Sequence, residues 1–150
     1  GAVLATDAIY QAFMQGPEQS IELFHGYTYS GHPVAAAAGL ATLDVYREEG
    51  SFDQARELET MFAEAIHQFD DHPMVIDVRN FGLMGAIELA PREGAPGARG
   101  LDAHKHCFWD QDLVIRNGMD ILQFSPFLNS KPDDIHSMFD SVRLVLDKIN

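Results

Sequence analysis

The apolar residues Ala55, Leu58, Phe62, Ala65 and Phe69 fall three and four apart, the spacing of a helix with one buried face. Ser51 and Gln54 stand at capping-box spacing in front of it. Near the other end Ile135, Phe139, Val142, Leu146 and Ile149 repeat the pattern. Pro132 suits a first helical position there, and Asp133 and Asp134 suit the positive end of a helix dipole. Between these helices the period changes from helical to alternating. Residues 74–90, MVIDVRNFGLMGAIELA, read as two strands of a β-hairpin joined near Asn80 to Gly82. Residues 91–100, PREGAPGARG, read as a turn-rich loop, and 101–110 as a further helix. DLVIR and DILQF read as two more short strands around Asn117 and Gly118. Helices with one apolar face and a few short strands must cover each other, so an α+β unit is expected from about Ser51 onward.

The first fifty residues follow a different plan. AVLA reads as the end of a strand, and Thr6 with Asp7 offers an N-cap to AIYQAFM, which stops at Gly16-Pro17. The stretch HGYTYSGHPVAAAAGL then concentrates polar and aromatic side chains before a helix opening at Pro33 and ending at Gly50. Ala35 to Ala38 keep that helix thin, which suits close packing against another backbone.

Composition narrows the function. The chain has 150 residues, enough for one ordinary domain or for a small domain plus a piece of another. A net charge of −13 with only ten Lys and Arg argues against nucleic acid, whose phosphates are met by clustered cations. The one cysteine, Cys107, excludes an internal disulfide, and no apolar run has the length to cross a bilayer. A reducing, cytoplasmic setting is expected. The opening GAVLATDAIY shows neither an initiator Met nor a signal segment, so Gly1 reads as an internal position.

Several local signals compete with plainer explanations. Gly94, Gly97 and Gly100 imitate a phosphate-cradling loop, but no Lys-Ser/Thr follows and Pro96 removes a donor, so a surface loop is expected. His104, His106 and Cys107 are metal-ligand types without a second ligand pair at suitable spacing, so no metal site is expected. Ser30 and His32 lack a nucleophile elbow and read as capping residues for the helix at Pro33. Thr28 lies in a loop between Gly26 and Gly31, where a hydroxyl and loop amides can serve either a phosphate or a local turn. Arg116 ends the apolar run LVIR, where a guanidinium can meet a substrate carboxylate or form a surface ion pair.

The order of three segments resembles one family. FHGYTYSGHPVAAAAGLATLDVYREEG, then VIDVRNFGLMGAIELAPREGAPGARG, then VIRNGMDILQFSPFLNSKPDDI look like the C-terminal part of a class III aminotransferase, of the β-alanine or ω-amino acid:pyruvate type. The resemblance runs along essentially the whole chain. It implies an α/β to α+β chain from a fold-type I enzyme dependent on pyridoxal 5′-phosphate. Residues 1–50 would end the large cofactor-binding domain, and 51–150 would form the small C-terminal α+β domain.

The same resemblance implies roles. Thr28 matches the threonine that hydrogen-bonds the cofactor phosphate of the other subunit, with Tyr27 beside it, which would explain the polar run before the alanine helix. Arg116 matches the arginine that binds the substrate carboxylate and swings aside for amines. Ala36 stands where many relatives have Cys, and Asn117 to Asp120 departs from the commoner Gly-Asp turn. The lysine that holds the cofactor as a Schiff base matches none of Lys105, Lys131 and Lys148, so this chain alone is expected to be inactive. The implied partners are an amino donor and a keto acid, in a homodimer or a dimer of dimers with the site at the subunit interface. The reading from another class is a catalytically silent, stand-alone dimerisation or interaction domain.

Overall fold

The computed structural model describes residues 1–17, 19 and 28–149 and divides into two units, Gly1–Glu48 and Glu49–Asn150. In the first, α1 (Asp7–Phe13) starts behind an extended Thr6 whose side chain makes no capping bond. A turn over residues 28–31 leads to α2 (Pro33–Glu48). His32 caps α2: its Nδ1 accepts from the Ala35 amide at 3.4 Å and its carbonyl from the Ala36 amide at 2.9 Å. Neither helix buries a residue. The strand expected at Ala2 to Ala5 is not formed, because a strand exists only through a ladder partner and no described residue pairs with this segment.

The second unit opens at Gly50, left-handed at φ 63°, which N-caps α3 (Ser51–His67). Ser51 is thereby already inside the helix and buried, and the Gln54 side-chain amide donates back to the Glu49 carbonyl. The expected Ser51–Gln54 capping box is replaced by this arrangement. The hairpin follows as β1 (Val75–Phe81) and β2 (Met84–Leu89), with Phe81 opposite Met84 and Gly82 at φ 56° in the two-residue loop.

After the loop comes α4 (Ala98–Gln111), three residues earlier than expected. Its start is set from a distance: the Asp120 carboxylate accepts from the Gly97 amide at 2.6 Å and the Gly100 amide at 2.9 Å. The next strands are β3 (Arg116–Gly118) and β4 (Ile121–Phe124). Asn117 and Gly118 therefore lie in a strand, and the turn is made by Met119, left-handed at φ 56°, and Asp120. Arg116 begins its strand instead of ending one. The last helix, α5 (Pro132–Leu146), starts where Asp134 accepts from the Lys131 amide at 2.8 Å.

The four strands form an antiparallel sheet in the order β1-β2-β4-β3. Ile87 sits opposite Leu122, and with Leu89 and Phe124 they make the buried face that the two-residue period requires. Leu58, Phe62, Ala65, Ile66 and Phe69 of the α3 segment and Ile135, Phe139, Val142, Val145 and Leu146 of α5 join the same core. Phe139 is its hub, with ring centroids 5.4 Å from Phe62, 5.3 Å from Phe124 and 6.0 Å from Phe69. A Cβ at Gly85 would stand 2.5 Å from Ile66 Cδ1, so the closeness of α3 to β2 depends on that glycine.

Candidate functional site

Arg116 stands at the start of the edge strand β3, between buried Ile115 and half-buried Asn117. Arg116 lines a groove of about 880 Å³ together with Met84, Leu113, Val114, Phe124 and Phe127. Ser125 and Ser130 add hydroxyls, and the other charged side chain of the lining, Asp134, accepts the Lys131 amide at the start of α5. An apolar groove with few polar groups and one cation is suited to a small molecule that carries an anionic end.

The remaining arginines make this cation distinctive. Arg47, Arg56, Arg79 and Arg92 face carboxylates of Asp44, Asp53, Asp77 with Glu88, and Asp102. Arg99 donates to the Ala90 carbonyl, and Arg143 donates to the Gln68 carbonyl and lies over the Phe69 ring. Arg116 has no such acceptor for its guanidinium among the described residues. The surface ion pair that the sequence also allowed is absent among them, in a chain with 23 acidic residues available to make one.

Thr28 opens the exposed turn before α2, in which the His32 amide bonds the Tyr29 carbonyl at 3.2 Å and Gly31 is left-handed at φ 73°. Neither its hydroxyl nor its amide is engaged within the described residues. A hydroxyl beside a glycine-bearing turn fits the donor chemistry of a phosphate site. Tyr27 lies outside the described residues. Ser30 makes no pair with His32, whose ring nitrogen is occupied in capping α2.

The other local signals resolve into structure. Gly97 and Gly100 do cradle an anion through their amides, but the anion is the chain's own Asp120 carboxylate. His104 donates from Nδ1 to the Ile115 carbonyl at 2.8 Å, and His106 contacts Asp110 at 2.8 Å. Lys148, then His106, hold the Asp110 carboxyl below its ordinary value. Cys107 is buried, and burial pushes its thiol up to about 11, away from reactivity. No cluster of metal-binding side chains occurs among the described residues, and no described helix is long and apolar enough to cross a membrane.

Sequence reasoning did not find Asp120 or the groove residues Met84 and Phe127. A carboxylate two residues after the turn-prone Asn117-Gly118 was the available signal for Asp120. Its significance depends on Gly97 and Gly100, which are remote in sequence.

Comparison with known proteins extends the picture. An omega-aminotransferase of Caulobacter vibrioides is 49% identical over all of this chain, and an omega-amino acid–pyruvate aminotransferase of Pseudomonas putida is 46% identical over 99% of it. The chain spans about a third of the length of either, 34% and 33%. An omega transaminase of Pseudomonas jessenii, solved in complex with PMP, superposes with a TM-score of 0.75 at 29% identity, over 84% of this chain and 29% of its own. The family model for class-III aminotransferases matches residues 1–146, so it takes in both units, the Thr28 turn and the Arg116 groove together. By that match and these relatives, the chain belongs to the class-III aminotransferases.

Proposed function

We propose that this chain is the C-terminal part of an aminotransferase that moves an amino group from an ω-amino acid or an amine to pyruvate. The observation that carries the proposal is the Arg116 side chain, unpaired among the described residues, on a mostly apolar groove in a chain of this family. A carboxylate would complete its fork of donors, and the apolar walls would hold the carbon skeleton and exclude water. Lysine would be a poor substitute, since a point charge does not orient a carboxylate in two bonds.

Residues 1–50 belong, in this reading, to the end of the large domain and 51–150 to the small one. Thr28 donates its hydroxyl to the cofactor phosphate of a neighbouring subunit, with Tyr27 beside it at the pocket edge, which requires a homodimer or a dimer of dimers. Pyridoxal 5′-phosphate would supply the electron sink that lets the amino group leave the donor. The lysine that carries it would lie elsewhere in a longer polypeptide, so these residues alone would be inactive, and a cytoplasmic location is inferred. The stand-alone interaction domain is less well supported. Val34, Leu40 and Leu43 of α2 are exposed, as expected of a helix that needs a further layer, whereas a self-sufficient module would cover them.

The decisive test is an intact mass, under denaturing conditions, after incubation with pyridoxal phosphate and reduction by borohydride. A chain much heavier than 16.7 kDa carrying one pyridoxyl group is expected. A 16.7 kDa chain without the group would remove the claim of activity for this polypeptide. In the complete enzyme Thr28→Ala should loosen cofactor retention, and Arg116→Ala should raise KM for carboxylate donors. Unchanged kinetics in both would overturn the assignments.

A further inference from the structure

The strand that carries Arg116 is short and peripheral. β3 has three residues and pairs with β4 alone at the edge of the sheet, which gives it little rigidity of its own. Its two ends are nevertheless tied to α4. Just before Arg116, His104 donates from Nδ1 to the Ile115 carbonyl at 2.8 Å. Just after β3, the Asp120 carboxylate takes the Gly97 amide at 2.6 Å and the Gly100 amide at 2.9 Å. The Asp120 carbonyl also accepts from Leu89 at 2.9 Å, which ties the same turn to the end of β2.

The fit at this point leaves no slack. A Cβ on Gly100 would stand 2.1 Å from the Met119 carbonyl oxygen and 2.8 Å from Asp120 Cα, so the turn backbone lies directly against the first turn of α4. Met119 holds a left-handed φ of 56°, uncommon for a non-glycine residue and maintained here by its surroundings. Asp120 is buried, and both its carboxylate oxygens are used by backbone amides. No ion pair links it to Arg116, so it places the cation without neutralising it.

We propose that Asp120 and His104 are positioning residues for Arg116: α4 clamps β3 at both ends and so fixes the direction in which the guanidinium meets a substrate carboxylate. The inference rests on the reading of Arg116 as the carboxylate binder. Bidentate recognition tolerates errors of only about 0.5 Å and 10–20°, which a free edge strand would not keep.

The test uses the complete enzyme, with pyruvate kept saturating for each variant, because its own carboxylate would meet Arg116, and two donors, β-alanine and propylamine, the second lacking a carboxylate. Asp120→Asn places an amide nitrogen against backbone N–H groups and should raise KM for β-alanine roughly tenfold, below the hundredfold that a misplacement of about 1 Å can cost. KM for propylamine and kcat for both donors should stay within about twofold, and the affinity for propionate, read by calorimetry, should fall in step with the β-alanine KM. His104→Ala should shift the same quantities by a few-fold, and His104→Gln, which keeps a donor, should restore part of the loss. If Asp120→Asn does not fold, the His104 pair decides alone. Equal losses on both donors would show a merely structural role and overturn the proposal. If Arg116→Ala weakens β-alanine and propionate while the Asp120 and His104 variants do not, positioning fails and the carboxylate reading stands. If Arg116→Ala itself leaves both unchanged, the carboxylate reading fails, and the clamp falls with it.

Discussion

Helices α2 and α5 are nearly equal in length, 16 and 15 residues, and both open on a proline, yet α5 buries five side chains and α2 none. Their sequences explain the difference. α2 is helical through its alanines, which cost no side-chain entropy, and its apolar residues Val34, Leu40, Leu43 and Val45 all remain exposed. α5 contains poorer helix formers, Asp, His, Ser and Val, but places Ile135, Phe139, Val142 and Leu146 on one stripe. Propensity makes the first helix and tertiary burial the second. A helix of α2's length is marginal in water on propensity alone, so it has the more to gain from a surface that covers it.

The largest contrast comes from deleting one apolar side chain in each unit. Phe62 is fully buried against Phe139, and Phe62→Ala in the 150-residue chain should cost about 3–5 kcal/mol, read from the midpoint of a denaturant melt. Leu43→Ala in α2 should stay within about 0.5 kcal/mol in the same chain. In the complete polypeptide, where a large domain is proposed to cover α2, the Leu43 cost should rise to about 2–5 kcal/mol. A Leu43 cost that stays negligible there would break the assignment of residues 1–50 to that domain.

The same contrast explains what could be read from sequence. Where one segment decides its own state, the elements came out as expected: the hairpin at 75–89, the face of α3, the start of α5 at Pro132 and that of α2 at Pro33, although the caps expected at Thr6 and at Ser51 with Gln54 did not form. Expectations failed where a remote partner decides. Ala2 to Ala5 had no strand to pair with, α4 began early because Asp120 meets its first amides, and the β3–β4 turn moved off Asn117-Gly118 to Met119-Asp120 for the same reason. The site follows this rule too. Arg116 stood out as a cation at the end of an apolar run, but the groove it lines is assembled from β2, β4, α5 and the segment before β3. Thr28 stood out through its neighbours, and nothing local could say what would face it.

A second and smaller effect separates the units by pH. Cys107 lies in the core between α4 and its neighbours, and burial raises its thiol to about 11. The unfolded chain ionises this thiol at its lower, ordinary value, so the folded state binds the proton more tightly. The stabilisation is complete below the unfolded pKa and is lost as pH rises through the folded one, over a window of about 9 to 11. A shift of this size is worth on the order of 2 kcal/mol, and Cys107→Ser, which has no thiol to ionise, should flatten that limb of the stability profile. Thiol labelling at pH 8 should be slow in native protein and immediate in denatured protein. Fast labelling of native protein would show that the α4 side of the core opens readily.

The smallest effect lies in the caps of the two helices themselves. Asp134 accepts the Lys131 amide at 2.8 Å and places its charge in the first turn of α5, so hydrogen bond and helix dipole act together. Asp134→Ala should cost about 1 kcal/mol, and Asp134→Asn, which keeps an acceptor but loses the charge, should cost less. His32 accepts the Ala35 amide at 3.4 Å, a long bond in full contact with water, and α2 has no acidic residue in its first turn. His32→Ala should therefore stay within about 0.5 kcal/mol in this chain. The cap at α5 matters more because the helix it starts carries a quarter or so of the buried side chains, and fraying there exposes Ile135 at once. If the two alanine variants cost the same, burial behind a cap does not amplify it, and the difference between α2 and α5 would rest on their apolar stripes alone.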